Sequence, residues 1–180
     1  QLQVGATEIG QGADTVFSQM AAETLHMDIS RVHIVTQQDT DVTPFDTGAY
    51  ASRQSFVTGT AVKECAQQLK QKILEYARTL VPGNVDRLEL EDGYILADGK
   101  PAISLEDLAM ESYYSLSNSS VLTAEVSRQV KKNTVASGCC FAEVEVDMKL
   151  GKIKVLDIVN VHDSGTLLNP QLAADRKSVV

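Results

Sequence analysis

The chain has 180 residues, enough for one good core or two small lobes, and its 43 % hydrophobic and 22 % charged content is that of an ordinary soluble globular protein. A net charge of −8 with scattered basic residues lacks the footprint of a nucleic-acid binder, and no apolar run reaches the roughly 18 residues of a membrane-spanning helix. Three cysteines, two of them adjacent and none at metal-ligand spacing, argue against a disulfide framework or a zinc site and for a reducing, cytoplasmic setting.

Leu2 to Ile9 reads as a strand, and Gly10-Gln11-Gly12 turns the chain. Asp14 is placed to cap a helix running to about His26, with Val16, Phe17, Met20, Ala21 and Leu25 on its apolar side. Val32 to Val35 reads as a short buried strand, and a polar loop follows from Gln37 to Ala51. The clearest helix spans about Ser55 to Val81: Val62, Cys65, Ala66, Leu69, Ile73, Ala77 and Leu80 recur at steps of three and four until Pro82-Gly83-Asn84 stops it.

Leu88–Leu90 and Tyr94–Leu96 flank Glu91-Asp92-Gly93 as a hairpin. Ser104 caps a short helix, with Asp107 as the acidic partner in its first turn. Ser115 to Ser120 is a loop. A second hairpin turns near Lys149-Leu150-Gly151, with Phe141, Val144 and Val146 on one arm and Ile153 to Val161 on the other. The fold class is therefore α+β, with mixed sheets and packed helices.

Two segments have the character of anion cradles. In Glu8-Ile9-Gly10-Gln11-Gly12 the glycines let the backbone bend close to a ligand, and the helix that follows offers free N–H groups. In Tyr50-Ala51-Ser52-Arg53-Gln54-Ser55 small and hydroxyl residues precede the long helix, and Arg53 is suited to a phosphate. On spacing alone the better reading of each is an ordinary turn into a helix, a strand-to-helix turn at the first and a capped helix start with Arg53 in solvent at the second. His162-Asp163 is no catalytic pair, because neighbouring strand residues point to opposite faces; a turn in which Asp163 satisfies backbone groups is the reading. A small hydrolase built on those two residues lacks a nucleophile motif. His26 and His33 read as structural, Cys139-Cys140 as core packing, and Lys131-Lys132 as solvated surface.

Taken in order, Glu8-Ile9-Gly10-Gln11-Gly12, then Gln38-Asp39-Thr40 with Pro44 and Ala51-Ser52-Arg53-Gln54, then Val144-Glu145-Val146-Asp147, then His162-Asp163-Ser164-Gly165 with Asn169-Pro170, resemble the xanthine dehydrogenase/aldehyde oxidase family. The segment from Gln38 to Ser55 is similar to bacterial xanthine dehydrogenases whose subunits are separate chains. The resemblance implies that residues 1–174 are a portion of the second molybdopterin-binding domain of a molybdenum hydroxylase, truncated at both ends. It implies that Ile9, Gly10, Gln11 and Gly12 lie beside the pterin, with Gln11 near the molybdenum ligands, and that Tyr50, Ala51, Ser52, Arg53, Gln54 and Ser55 hold the pterin phosphate or its cytosine dinucleotide extension. The family uses no direct protein ligand to the metal, and its catalytic glutamate is expected beyond the C-terminus of this chain. An iron–sulfur subunit with 2Fe-2S clusters and an FAD-binding subunit that passes electrons to NAD are the implied partners; a small heteroaromatic substrate, a purine such as xanthine or hypoxanthine, is the implied reductant, without nucleic acid or membrane. The non-catalytic alternative is a cofactor scaffold or binding module. The resemblance lapses at Asp175, and residues 175–180 are expected to be a non-native tail.

Overall fold

The computed structural model describes residues 1–132 and 134–174; the tail expected at 175–180 lies outside them. The element order is α1 (Ala13–Leu25), α2 (Gln54–Leu80), β1 (Leu88–Glu91), β2 (Tyr94–Ala97), β3 (Lys100–Ser104), α3 (Leu105–Tyr114), β4 (Ser137–Asp147), β5 (Lys152–Asp163) and α4 (Pro170–Ala174), with a 3-10 turn at Ile29–Arg31. The α+β reading holds. No helix among the described residues is long and apolar enough to cross a membrane.

The 27-residue α2 is the spine. Its apolar stripe recurs at helical period, so one face stays buried along its whole length. Near its start Val62 joins Val4, Ala6, Ala13, Phe17 and Ala21 in one core cluster. Farther along, Ala66, Ile73, Tyr76 and Ala77 join Leu25, Leu88, Leu90, Ile95 and Leu108 in a second. Helix α1 also reaches both, through Phe17 and Leu25. The two helices approach closely at Gly59, where an added Cβ would lie 3.0 Å from the Met20 thioether. The bare backbone at Gly59 thus lets α1 and α2 cross.

The strands β1, β2 and β3 form an antiparallel meander in that order. Asp92-Gly93 and Asp98-Gly99 make the two turns, with all four residues at positive φ, the backbone of type I′ hairpin turns. The third strand is absent from the sequence reading. Pro101 argues against a strand, but β3 is an edge, where a missing N–H costs nothing in the ladder. Ser104 caps α3 as expected: its hydroxyl accepts the Asp107 N–H at 3.0 Å and lies 2.6 Å from the Asp107 carboxylate. Replacing Ser104 with alanine is expected to lower the opening free energy of the α3 amides by about 1 kcal/mol, measured by hydrogen exchange. Unchanged exchange would assign the helix start to the packing of Leu108 instead.

Three expectations change. Leu2–Ile9 and Val32–Val35 are not ladder strands; they meet in one parallel bridge, Leu2 to Ile34, and otherwise contribute Val4, Ala6 and partly buried Val32 and Ile34 to the core. Packing of side chains holds them extended without a run of backbone pairs. His33, in that segment, is exposed. The β4–β5 hairpin is longer than its apolar residues suggested, pairing Ser137 with Asp163 at one end and Asp147 with Lys152 at the other. Both of its faces are exposed, so Cys139 and Cys140 are surface residues and not core packing. Alternation indicates that one face of a strand pair is to be buried, but nothing among the described residues covers either.

Candidate functional site

Both predicted cradles form turns that open directly into a helix, and the structure brings them together. Gly10 and Gly12 have φ of 92° and 80°, in the left-handed region that glycine enters without strain. Gly12 is the N-cap of α1 and offers no side-chain cap. Asp14, expected to cap, sits in the first turn. The carboxylate of Glu8 does the capping. Its Oε1 accepts the N–H groups of Gly10 at 2.7 Å and Gly12 at 3.0 Å, and its Oε2 accepts that of Asp14 at 3.1 Å. The amide donors expected to be free at this turn are therefore filled by the chain's own anion. Glu8 was not among the predicted site residues; the available signal was an acid just upstream of a Gly-x-Gly helix start.

Burial would push the Glu8 carboxyl up, but the backbone N–H groups of Asp14, Gly12, Gly10 and Gln11 outweigh it and hold the group below the ordinary glutamate value. Its contribution to the turn is complete above the unfolded-state pKa and is lost as pH falls through the lower folded-state value. Asp14 faces it. Burial first, then the charge of Glu8, raises the Asp14 carboxyl.

Gln11 is held at both ends of its carboxamide. The oxygen accepts the Ile9 N–H at 2.6 Å. The nitrogen donates to the Thr7 carbonyl at 3.0 Å and to the carboxamide oxygen of Gln54. Gln54, the first residue of α2, is buried and donates in turn to the same Thr7 carbonyl at 3.1 Å. Residues 43 positions apart thus share one amide network. Ile9 and Gly10 lie exposed beside it, and a Cβ added to Gly10 would meet nothing within 4 Å.

The second cradle has the opposite electrostatics. Arg53 is the N-cap of α2, without a side-chain cap, and no acid lies in the first turn. The amides of Gln54, Ser55 and Phe56 cannot reach an acceptor within the helix and find none elsewhere among the described residues. Ala51 and Ser52 are held at φ of 50° and 55°, a left-handed conformation that side chains with a Cβ rarely adopt and that clusters at ligand clamps. Thr134 donates its hydroxyl to the carbonyls of both, at 3.1 Å each. Arg53 is not in solvent. Its Nη1 donates to Asp46 at 2.8 Å and to the Gly48 carbonyl at 2.9 Å, and the guanidinium lies 5.5 Å from the Tyr50 ring centre. Ser52 and Ser55 are exposed at the mouth of this turn.

At the far end of the chain, Asn169 accepts the Leu172 N–H at 3.0 Å and donates to Gln19 at 3.2 Å, which fixes α4 against α1. Leu172 covers Gly12 so closely that a Cβ there would come 2.8 Å from its Cδ1. Asp163 accepts the Gly165 N–H at 3.0 Å, the turn role read from its sequence. Among the described residues no group of histidines, cysteines and acids is placed to hold a metal ion.

The sequence matches the molybdopterin cofactor-binding domain family over residues 1–176. It is 47 % identical over 175 residues to the xanthine dehydrogenase molybdenum-binding subunit of Escherichia coli O157:H7, covering 96 % of this chain and 23 % of that subunit. It is 24 % identical to the nicotine 6-hydroxylase large subunit of Paenarthrobacter nicotinovorans, over 93 % of this chain and 21 % of that one. Among solved structures, quinoline 2-oxidoreductase from Pseudomonas putida 86 superimposes with a TM-score of 0.73 at 25 % identity, covering 94 % of this chain and 22 % of its own. The chain thus spans less than a quarter of the length of these relatives.

Proposed function

This chain belongs to the molybdopterin cofactor-binding domain family, and from that premise we propose that it forms part of the cofactor wall of a molybdenum hydroxylase subunit that oxidises purines. Residues 1–174 are a portion of the second molybdopterin-binding domain in this reading. One observation carries it: the Gln11–Gln54 contact joins the two candidate cofactor segments into a single surface.

The residues suit such a group, each end for a different reason. The uncapped start of α2 presents three amide donors, the positive end of a 27-residue helix and the hydroxyls of Ser52 and Ser55. That donor set suits the phosphate of the pterin, or the diphosphate of its cytosine dinucleotide form. The start of α1 does not suit a second anion, because Glu8 is already there. Its exposed Ile9 and Gly10 suit an uncharged face of the pterin, close against the backbone. Gln11 keeps one acceptor position on its oxygen for a ring N–H; to donate toward an oxygen it must release Gln54 or Thr7. When bound, the group supplies the Lewis acid and water-derived oxygen of the hydroxylation, while the protein positions it.

Purine as substrate rests on likeness to the subunit named xanthine dehydrogenase. Partner subunits carrying 2Fe-2S clusters, FAD and the NAD site belong to the same reading, as does a cytoplasmic location. The test is molybdenum and pterin analysis of the full-length subunit purified with its native partners, wild type beside Gln11→Ala. The wild type is expected to retain both and to turn over xanthine, and the variant to bind the cofactor about tenfold more weakly or worse. A well-folded wild-type complex without molybdenum would leave a non-catalytic binding module in its place.

A further inference from the structure

We propose that Glu8 is a positioning residue of the cofactor site: its carboxylate locks the Gly10–Gly12 turn in the shape that fixes the carboxamide of Gln11. The inference deepens the reading of this surface as a cofactor wall and rests on it for its functional half.

Glu8 immediately precedes the bend that begins at Ile9. Its two oxygens reach over the turn to three N–H groups, two from the turn itself and one from the first turn of α1. A carboxylate is the only side-chain group that accepts at both ends, so one residue ties Gly10, Gly12 and Asp14 together. Gln11 sits inside that clamp. The Ile9 N–H that its oxygen accepts and the Thr7 carbonyl that its nitrogen meets come from the backbone on either side of Glu8. Releasing Gly10 and Gly12, both at positive φ, frees a segment with no Cβ at either residue to resist new conformations. The orientation of Gln11 would go with it, and the carboxamide oxygen of Gln54 would lose its donor.

The same contacts say why the acid is there when the cofactor is itself anionic. Charge-assisted bonds from a resident carboxylate neutralise the positive end of α1. The anionic end of a ligand is then directed to α2, whose first turn carries no acid. Glu8 therefore sets the polarity of the surface as well as the shape of one turn.

The experiment compares wild type, Glu8→Gln and Glu8→Asp in the full-length subunit with its native partners. Glu8→Gln keeps size and removes one acceptor end; Glu8→Asp keeps the charge on a shorter arm, and serves where the first variant folds poorly. Hydrogen exchange of the peptide covering Ile9 to Asp14 reads the clamp directly. Pterin and molybdenum content reads its consequence. Exchange is expected to rise at least about tenfold at Gly10, Gly12 and Asp14 in Glu8→Gln, with α3 unchanged, cofactor retention falling and Glu8→Asp intermediate. Unchanged exchange at the turn overturns the inference whatever the cofactor does. A loosened turn with full cofactor retention and unaltered kcat and KM overturns the positioning role. Failure of the cofactor reading is told apart by Gln11→Ala, which would then leave molybdenum and pterin untouched while Glu8→Gln still opens the turn.

Discussion

Phe17→Ala is expected to destabilise the protein by about 3–5 kcal/mol and, in the fraction that folds, to weaken cofactor retention. Phe17 is 1 % exposed and fills the site-side core between α1 and α2. The helices cross where its ring lies 3.8 Å from the position a Cβ on Gly59 would take. Removing the ring leaves a cavity at that crossing, within two turns of both cradles. Any settling of α1 toward α2 shifts Gln11 against Gln54. Leu90→Ala is the control. Leu90 is fully buried in the other cluster, away from both cradles, and its loss is expected to cost about 2–5 kcal/mol. Denaturant midpoints should fall for both variants, and pterin content of the folded protein for Phe17→Ala alone. Equal retention in the two would mean that the Gln11–Gln54 contact is set locally, by Glu8 and Thr7, and not by the helix crossing.

What the sequence made legible follows from which forces are local. The stripe from Val62 to Leu80 marks α2 because helical period repeats over many turns, and the observed bounds, Gln54–Leu80, differ by one residue at each end. Ser104 and Asp107 name a helix start because a cap is made within one turn. The hairpin at Asp92-Gly93 is read from its turn; Asp98-Gly99 has the same turn chemistry ahead of β3, a strand the sequence reading does not contain. The rest depends on partners distant in sequence. Leu2–Ile9 has a strand's composition, but its shape comes from one bridge to Ile34 and from packing under α1. The alternation in β4 and β5 is real, yet alternation says only that a face is apolar, not what covers it.

The candidate site divides the same way. Both cradles were legible as turns into helices, since glycine and small hydroxyl residues before an apolar run are local signals. That they meet was not legible, because Gln11 and Gln54 are 43 residues apart and polar side chains carry no period. Nor was their difference in charge. An acid before Gly-x-Gly reads as surface until its two oxygens are seen on Gly10, Gly12 and Asp14. Arg53 likewise read as a phosphate ligand or a solvated residue, and the structure gives it a third role, as a tie between the loop and α2.

That tie carries the second large effect, and Asp46→Ala exposes it. Asp46 is nearly buried and takes three donors: the Gly48 N–H at 2.7 Å and Arg53 Nη1 at 2.8 Å on one oxygen, and the Thr58 hydroxyl at 3.2 Å on the other. It therefore fastens the polar loop to the first two turns of α2. Alanine leaves the guanidinium of Arg53 without its counter-charge and two neutral donors without an acceptor. Breaking a fully buried pair costs about 3–5 kcal/mol; here Arg53 keeps the Gly48 carbonyl and some solvent, so about 2–3 kcal/mol is expected. Asp46→Asn, which keeps one acceptor in place, should cost less than half of that. The left-handed pair Ala51-Ser52 is strained and persists only while its flanks are fixed. Release of Arg53 should let it relax and carry the α2 amides away from any oxyanion they hold. A double-mutant cycle of Asp46→Ala with Arg53→Ala, read by denaturant unfolding and by pterin content, separates the two consequences. Coupling in stability with equal loss of pterin in both single variants places the pair in the frame of the cradle. Pterin loss confined to Arg53→Ala, with Asp46→Ala fully loaded, would instead make Arg53 a direct contact whose pairing with Asp46 gives way when the anion binds.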